Sequence, residues 1–414
     1  MIKNSINIKN LINESENSLQ QQFTELEDIC HHNQKKVLDA FLENKVSPEH
    51  FATVSGYGHD DMGRDVLDKT YADVFKAEAA IVRPHFVSGT HTLACALFGN
   101  LRYGETLLSV AGRPYDTMEE VIGLRGNKRA SLIGHGVIYD EVPLKNGLYV
   151  DLEALEQKMT TNTHMALIQR SRGYSLREPI TMELMKKIID IIKSKNPNCI
   201  CFVDNCYGEF VQKTEPLEAG ADLIGGSLLK NPGGGIVEAG GYIAGKKEYV
   251  EQSAMRLTAP GIAGDGGAML NQSRLIFQGL FMAPSITKDA LKGALLTAKI
   301  FENLEIKTSP TSTCTRADII QAIEFGAPEP LKSFCLALQK ASPVDSYLTP
   351  IPDDVPGYDD KLIMAGGSFI EGSTIELSAD GPLRAPYVAY MQGGLNYHHV
   401  KIALERVLPQ LIAQ

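Results

Sequence analysis

Apolar residues near the start of the chain recur at intervals of three and four: Leu11, Ile12, Leu19, Phe23, Leu26, Ile29, Val37, Leu38, Phe41 and Leu42. Such spacing lays one stripe along a helix, so residues 7–45 are expected to be helical until VSPEH ends the pattern. From about residue 65 the rhythm changes. Short β-rich runs follow (EAAIVRPHF, ETLLSV, HGVIYDEV, HMALIQ, CICFVDN, DLIGGS and GGYIAG), separated by helical stretches. Strands alternating with helices predict an α/β fold: a mostly parallel seven-stranded sheet with helices on both faces, binding ligands at the carboxyl ends of its strands.

A helical pattern over 266–304 contains Pro284, so it is expected to bend there and to connect two domains. Beyond it, strands (TCTRADIIQAIEF, KLIMAGG, STIELS) mix with helices (PLKSFCLALQKA, GGLNYHHVKIALERVLPQLIA) in what reads as a smaller α+β domain. The expected organisation is an N-terminal helical arm over 1–64, a large α/β domain over 65–285 and a small C-terminal domain over 286–414.

Composition narrows the function. A chain of 414 residues, 43% apolar and 22% charged, is ordinary globular protein too long for one core. Its net charge of -10 disfavours nucleic acid and anionic membranes as partners. No apolar run approaches the ~20 residues of a membrane span, and MIKNSINIKN lacks the features of a signal peptide. The expectation is a cytoplasmic protein acting on small molecules. Seven scattered cysteines suit free thiols in a reducing compartment. Cys199 and Cys201 alternate as a buried strand does, and the adjacent pairs His31–His32 and His398–His399 point about 100° apart on a helix. No metal site is expected.

Four stretches could carry chemistry. GGYIAGKK, residues 240–247, nearly spells a nucleotide-binding loop, but Lys247 stands where a hydroxyl is needed for magnesium. In PHFVSGTHTLACALFGNL, residues 84–101, Ser88, Gly89 and Thr90 precede an apolar helix starting at His91. The free N–H groups of such a start, with two hydroxyls, can cradle a phosphate or simply cap the helix. In ICFVDNCYGEF an apolar strand delivers Asp204 to the sheet's carboxyl edge, and DLIGGSLLKNPGGGI then brings Ser227 and Lys230. A lysine, a carboxylate and a phosphate cradle on one sheet suggest pyridoxal phosphate. That cofactor needs an amine for its Schiff base, an acid to keep its ring nitrogen protonated, and donors for its phosphate.

The order of phosphate turn, VDN aspartate and GGSLLKN lysine resembles the fold type I pyridoxal-phosphate enzymes, in particular the cystathionine lyase and methionine γ-lyase group. GYGHDDMGR, FVDNCYGEF and SLLKNPGGGI resemble the branch called methionine γ-lyase-like or aluminium-resistance proteins, over nearly the full chain. The resemblance implies that Lys230 binds the cofactor and moves the substrate's Cα proton, and that Asp204 pairs with the ring nitrogen. Ser88, Gly89, Thr90 and Ser227 would hold the phosphate. Tyr115, in GRPYDT, would lie over the cofactor, against the alternative of a core or loop tyrosine. Tyr57 and Arg64 would reach into a neighbouring subunit's site, implying a homodimer or homotetramer. NPGGG would let the backbone turn close to the cofactor.

Three departures from the family pattern stand out. Leu229 precedes the lysine where a hydroxyl is usual, Cys206 replaces the threonine of DNT, and Glu376 replaces the carboxylate-binding arginine of RLS. Arg384 is the nearest substitute for that arginine. Arg172 and Arg177 are further candidates, for the carboxylate or for the cofactor's phenolic oxygen. The implied activity is carbon–sulfur lysis of a cystathionine-, cysteine- or methionine-type amino acid by β- or γ-elimination. Its rivals are an aldolase, a racemase, a transaminase-like enzyme, and a cofactor-binding protein of metal tolerance without lyase activity.

Overall fold

The N-terminal stripe folds as two helices, α1 (Ile8–Ser18) and α2 (Gln20–Glu43), separated at Leu19. This computed structural model describes residues 7–57, 61–355 and 358–412, so positions 58–60 of the GYGHDDMGR motif lie outside the described residues. Ile12, Leu19, Phe23 and Leu26 are buried in one core and Val37 and Ala40 in another, so the two helices lie along their own chain and bridge its two halves.

Each of the seven β-rich runs contributes a strand: β1 (Ala79–Arg83), β2 (Thr106–Ser109), β3 (Ile138–Glu141), β4 (Thr163–Gln169), β5 (Ile200–Asp204), β6 (Leu223–Ser227) and β7 (Gly241–Gly245). They form one sheet in the order β1-β7-β6-β5-β4-β2-β3. β7 runs antiparallel to β1 and β6, and the other pairings are parallel. Period-2 alternation sorts the side chains. Cys201 and Val203 of β5 pack into one core while Ile200 and Phe202 pack into the opposite one. Helices α3 (Met62–Phe75), α6 (Leu152–Lys158) and α7 (Met182–Lys195) bury residues in the first, and α4 (Gly89–Asn100), α5 (Asp116–Ile122) and α8 (Lys247–Leu257) in the second. α7 illustrates why: Met185, Ile188, Ile189 and Ile192 form its buried stripe, and the Thr181 hydroxyl caps its start by accepting the Leu184 N–H.

α9 (Ser273–Asn303) carries Pro284 inside it and joins the cores, giving Phe277 and Leu280 to the sheet and Leu291 and Leu295 to the second domain. The expected helix loses residues 266–272, which are not helical. The C-terminal sheet comprises β8 (Thr308–Ser309), β9 (Gln321–Glu324), β10 (Leu362–Ala365), β11 (Ser378–Pro382) and β12 (Val388–Gln392), antiparallel in the order β10-β11-β12-β9-β8. α10 (Pro328–Gln339) and α11 (Tyr397–Ile412) pack in the same core.

Three expectations change. STIELS is a loop that becomes strand only at Ser378, and only the end of TCTRADIIQAIEF is strand. β12 carries no alternating signal because it is buried along its whole length. The glycines of NPGGG serve α9: Gly234 adopts φ +57°, and a Cβ there would stand 2.6 Å from the Gly279 carbonyl oxygen of that helix. Gly234 thus seats the chain against the helix. Among the described residues, no helix is long and apolar enough to cross a membrane.

Candidate active site

The carboxyl ends of β4, β5 and β6 open on a cavity of about 210 Å³, lined among others by Gly89, Thr90, Tyr115, Gln169, Asp204 and Lys230. Asp204 ends the apolar run of β5 and lies beside Gln169 of β4 in register. Its buried Oδ1 accepts the Cys206 N–H at 3.1 Å. Burial pushes this carboxyl above its ordinary range, while donation from Cys206 and the nearby charges of Lys230 and Arg177 work against that rise. Burial and the charge of Asp204 push the Cys206 thiol well up, so it stays protonated and donates to Asp204.

Helix α4 begins at the cavity. The Ser88 hydroxyl is its cap and accepts the His91 N–H at 3.0 Å. Thr90 shares hydrogen bonds with the Tyr115 hydroxyl at 3.2 Å and Thr117 at 3.0 Å. A Cβ on Gly89 would lie 3.3 Å from Cβ of Ser227 and 3.7 Å from Sγ of Cys206, so the helix start sits directly on the ends of β5 and β6. Ser227 Oγ accepts the Leu229 N–H at 3.1 Å.

Lys230 projects its Nζ over the face of Tyr207, 3.6 Å from the ring centroid, and lies 3.4 Å from the Thr374 hydroxyl. Burial favours its neutral form, but Tyr207, Cys206 and Asp204 outweigh burial and raise the amine above its ordinary value. Tyr207 was not singled out in the sequence, though it follows the strand-ending aspartate by three residues. It holds a left-handed φ of +68°, uncommon for a bulky residue. Thr374 comes from the loop that was expected to be a strand. That loop is tied to the lysine segment by the Thr374 N–H donating to the Leu229 carbonyl at 3.2 Å. Glu376 holds it in shape by accepting the N–H groups of Phe369 and Ile370, each at 2.9 Å. The Glu376 carboxylate, where the resemblance implies an arginine, thus serves to build the loop.

The far wall also went unrecognised: Tyr174, Tyr358, Ile320 and Gln392 come from separate segments. The Tyr174 hydroxyl donates to Asp380 at 2.8 Å and Gln392 Nε2 donates to it at 3.1 Å. Burial raises the Asp380 carboxyl to about 6.

Lys230, Asp204, Gly89, Thr90 and Tyr115 are thus brought together, with Ser227 touching Gly89 and Ser88 committed to its cap. The candidate arginines lie elsewhere. Arg172, Arg177 and Arg384 line a neighbouring cavity. Tyr57 is 95% exposed, whereas Arg64 is buried in its own chain and donates to the Gly56 carbonyl at 3.3 Å. The donor set fits pyridoxal phosphate: an amine, a carboxylate shielded from water, and a helix start at a glycine packed close to the strand ends.

The methionine γ-lyase family model matches residues 8–412. An uncharacterised Bacillus subtilis (strain 168) protein, YnbB, is 47% identical over 381 residues, which is 92% of this chain and 90% of that one. A candidate cystathionine β-lyase involved in aluminium resistance, from Listeria monocytogenes, superposes with a TM-score of 0.95 at 47% identity, covering 97% of this chain and 100% of that one. For a carbon–sulfur lyase involved in aluminium resistance, from Clostridium novyi NT, the TM-score is 0.93 at 47% identity, with 98% and 96% covered. MetB from Corynebacterium glutamicum, 15% identical with a TM-score of 0.58 over 84% of each chain, shares the fold alone. Matched along almost its whole length, the chain belongs to the methionine γ-lyase family, in the branch of the aluminium-resistance proteins, whose fold type I architecture implies pyridoxal phosphate.

Proposed function

We propose that the chain is a pyridoxal-phosphate-dependent carbon–sulfur lyase. It cleaves an amino acid of the cystathionine, cysteine or methionine type by β- or γ-elimination, to a keto acid, ammonia and a thiol. The observation that carries this reading is the convergence of Lys230, Asp204 and the Gly89 start of α4 on one cavity. The cofactor supplies an electron sink for the negative charge left when the substrate's Cα loses its proton.

The chain's residues divide the remaining work. Lys230 Nζ would hold the cofactor and, as a free amine, would take the substrate's Cα proton. It must be neutral for both tasks, which burial favours and the Tyr207 face and Asp204 oppose. Asp204 would face the ring nitrogen, with the Cys206 N–H fixing its Oδ1. The N–H groups at Gly89 and Thr90 with the Ser227 hydroxyl would hold the phosphate, and Tyr115, tied to Thr90, would cover the ring. Tyr174 and Tyr358 would wall the bound substrate, and the Thr374 hydroxyl would steady the Lys230 amine.

The test is an absorbance spectrum of the purified protein before and after borohydride, followed by peptide mapping. A reduced adduct on Lys230 is expected, and a colourless protein or an adduct on another lysine overturns the assignment. Product analysis on sulfur amino acids should give keto acid and thiol, whereas glycine and an aldehyde would make the enzyme an aldolase.

A further inference from the structure

Beside the catalytic cavity lies a second one of about 240 Å³, and Tyr115, Asp116, Gln169 and Tyr174 line both. A molecule held at Lys230 can therefore extend past this shared wall into the neighbouring chamber. The charge there is one-sided. Arg113, Arg172, Arg177 and Arg384 line it, and Asp116 is the one acid among its described lining residues.

The two inner arginines lack full compensation. Arg172 and Arg177 are 2% and 3% exposed, and among the described residues neither has a carboxylate partner for its guanidinium. Arg177 donates to the carbonyls of Glu178, Gln169 and Ser171. Arg172 Nη1 reaches the Ser309 hydroxyl at 2.9 Å, and its Nε and Nη2 have no hydrogen-bond partner. Burial and the neighbouring Arg172 lower Arg177 to about 10, as expected of like charges held together, while Asp318 offsets part of the repulsion. Buried charge left unpaired is costly, so a fixed positive field of this kind favours an anion at the adjoining surface. The two outer arginines can meet it: Arg384 pairs with Asp360 at 2.9 Å and Arg113 with Glu119, each about half exposed and free to exchange partners.

We propose that this chamber is the subsite for a carboxylate on the far end of the substrate, whose amino-acid end is held at Lys230. The proposal rests on the Lys230 cavity being the catalytic one, and it narrows the substrate to sulfur amino acids that carry a distal acid.

The test compares two ligands that differ in that group alone, S-(2-carboxyethyl)-L-cysteine and its amide S-(2-carbamoylethyl)-L-cysteine, on the holoenzyme. The ratio of kcat/KM is read if they turn over, and the ratio of affinities by calorimetry if they do not. Wild type should favour the carboxylate about tenfold, or about 1.4 kcal/mol. Arg384→Gln and Arg113→Gln should each shrink that ratio, and the double variant should bring it below about twofold. Arg129→Gln, an exposed arginine outside both cavities, should keep the wild-type ratio and so control for overall charge. Equal ratios in wild type, no binding of the acid, or a preference that survives the double variant would overturn the proposal. A preference without thiol release keeps the subsite and removes the lyase reading. Thiol release without preference does the reverse.

Discussion

Glu376 stands where the sequence resemblance implies a carboxylate-binding arginine, and its partners show what an exchange would cost. Glu376→Arg removes the acceptor of the Phe369 and Ile370 N–H groups and places a long cation at a buried position. Each lost hydrogen bond costs roughly 0.5–1.5 kcal/mol, so an arginine here should lower unfolding stability by about 1 kcal/mol or more in urea titrations. Wild-type stability in this variant would contradict the role given to Glu376. Glu209 supplies a prediction in pH. It is wholly buried, accepts the Tyr242 hydroxyl at 2.9 Å, and burial raises its carboxyl from 4.5 to about 8. Between those values the folded chain holds a proton that the unfolded chain has released. Its contribution to stability is therefore full below pH 4.5 and is lost as pH rises through about 8. Glu209→Gln keeps an acceptor for Tyr242 and has nothing to titrate, so the decline in stability between pH 5 and 8 should flatten. Urea midpoints across that range read it directly, and an unchanged slope rules it out. At this scale Lys230, Asp204 and Gly89 were legible because each ends or follows a strand with a strong pattern. Tyr207 was not, because a tyrosine in a turn carries no periodic mark and its placement depends on a left-handed backbone.

Among the elements, α4 and the 366–376 loop decide the shape of the site. α4 was legible from its polar turn and apolar body, and its start lies so close to β6 that a Cβ on Gly89 would stand 3.3 Å from Cβ of Ser227. Gly89→Val should leave the fold intact but weaken pyridoxal phosphate at least about tenfold, or about 1.4 kcal/mol, in titrations of the apoenzyme. Unchanged affinity would separate α4 from the cofactor. The loop was misread as a strand because Ile375 and Leu377 alternate with polar residues as strand residues do. What breaks the pattern is tertiary: Glu376 turns inward to the loop's own N–H groups, and Thr374 bonds to the Leu229 carbonyl. β12 was missed for the opposite reason, since a strand buried on both faces shows no alternation.

For the whole molecule, we propose that two copies of the chain complete each other's sites. Tyr57 faces outward on its own chain while Arg64 is buried, which makes Tyr57 the residue to test across an interface. Tyr57→Ala and Lys230→Ala proteins should each lose activity, and random re-association of equal amounts should restore about a quarter of it, because one pairing in four joins an intact lysine to an intact tyrosine. Mixtures that stay inactive after subunit exchange would place Tyr57 outside the neighbour's site. The sequence by itself determined the seven strands, the helices between them, and the lysine, aspartate and glycine at the sheet's carboxyl edge. These follow from local periodicity and from the rule that such sheets bind ligands where their strands end. Tertiary structure alone decided which cavity each arginine lines, which tyrosine lies under the lysine, and why a glutamate occupies the arginine's place. Those choices depend on which distant segments pack together, and neither spacing nor composition carries that information.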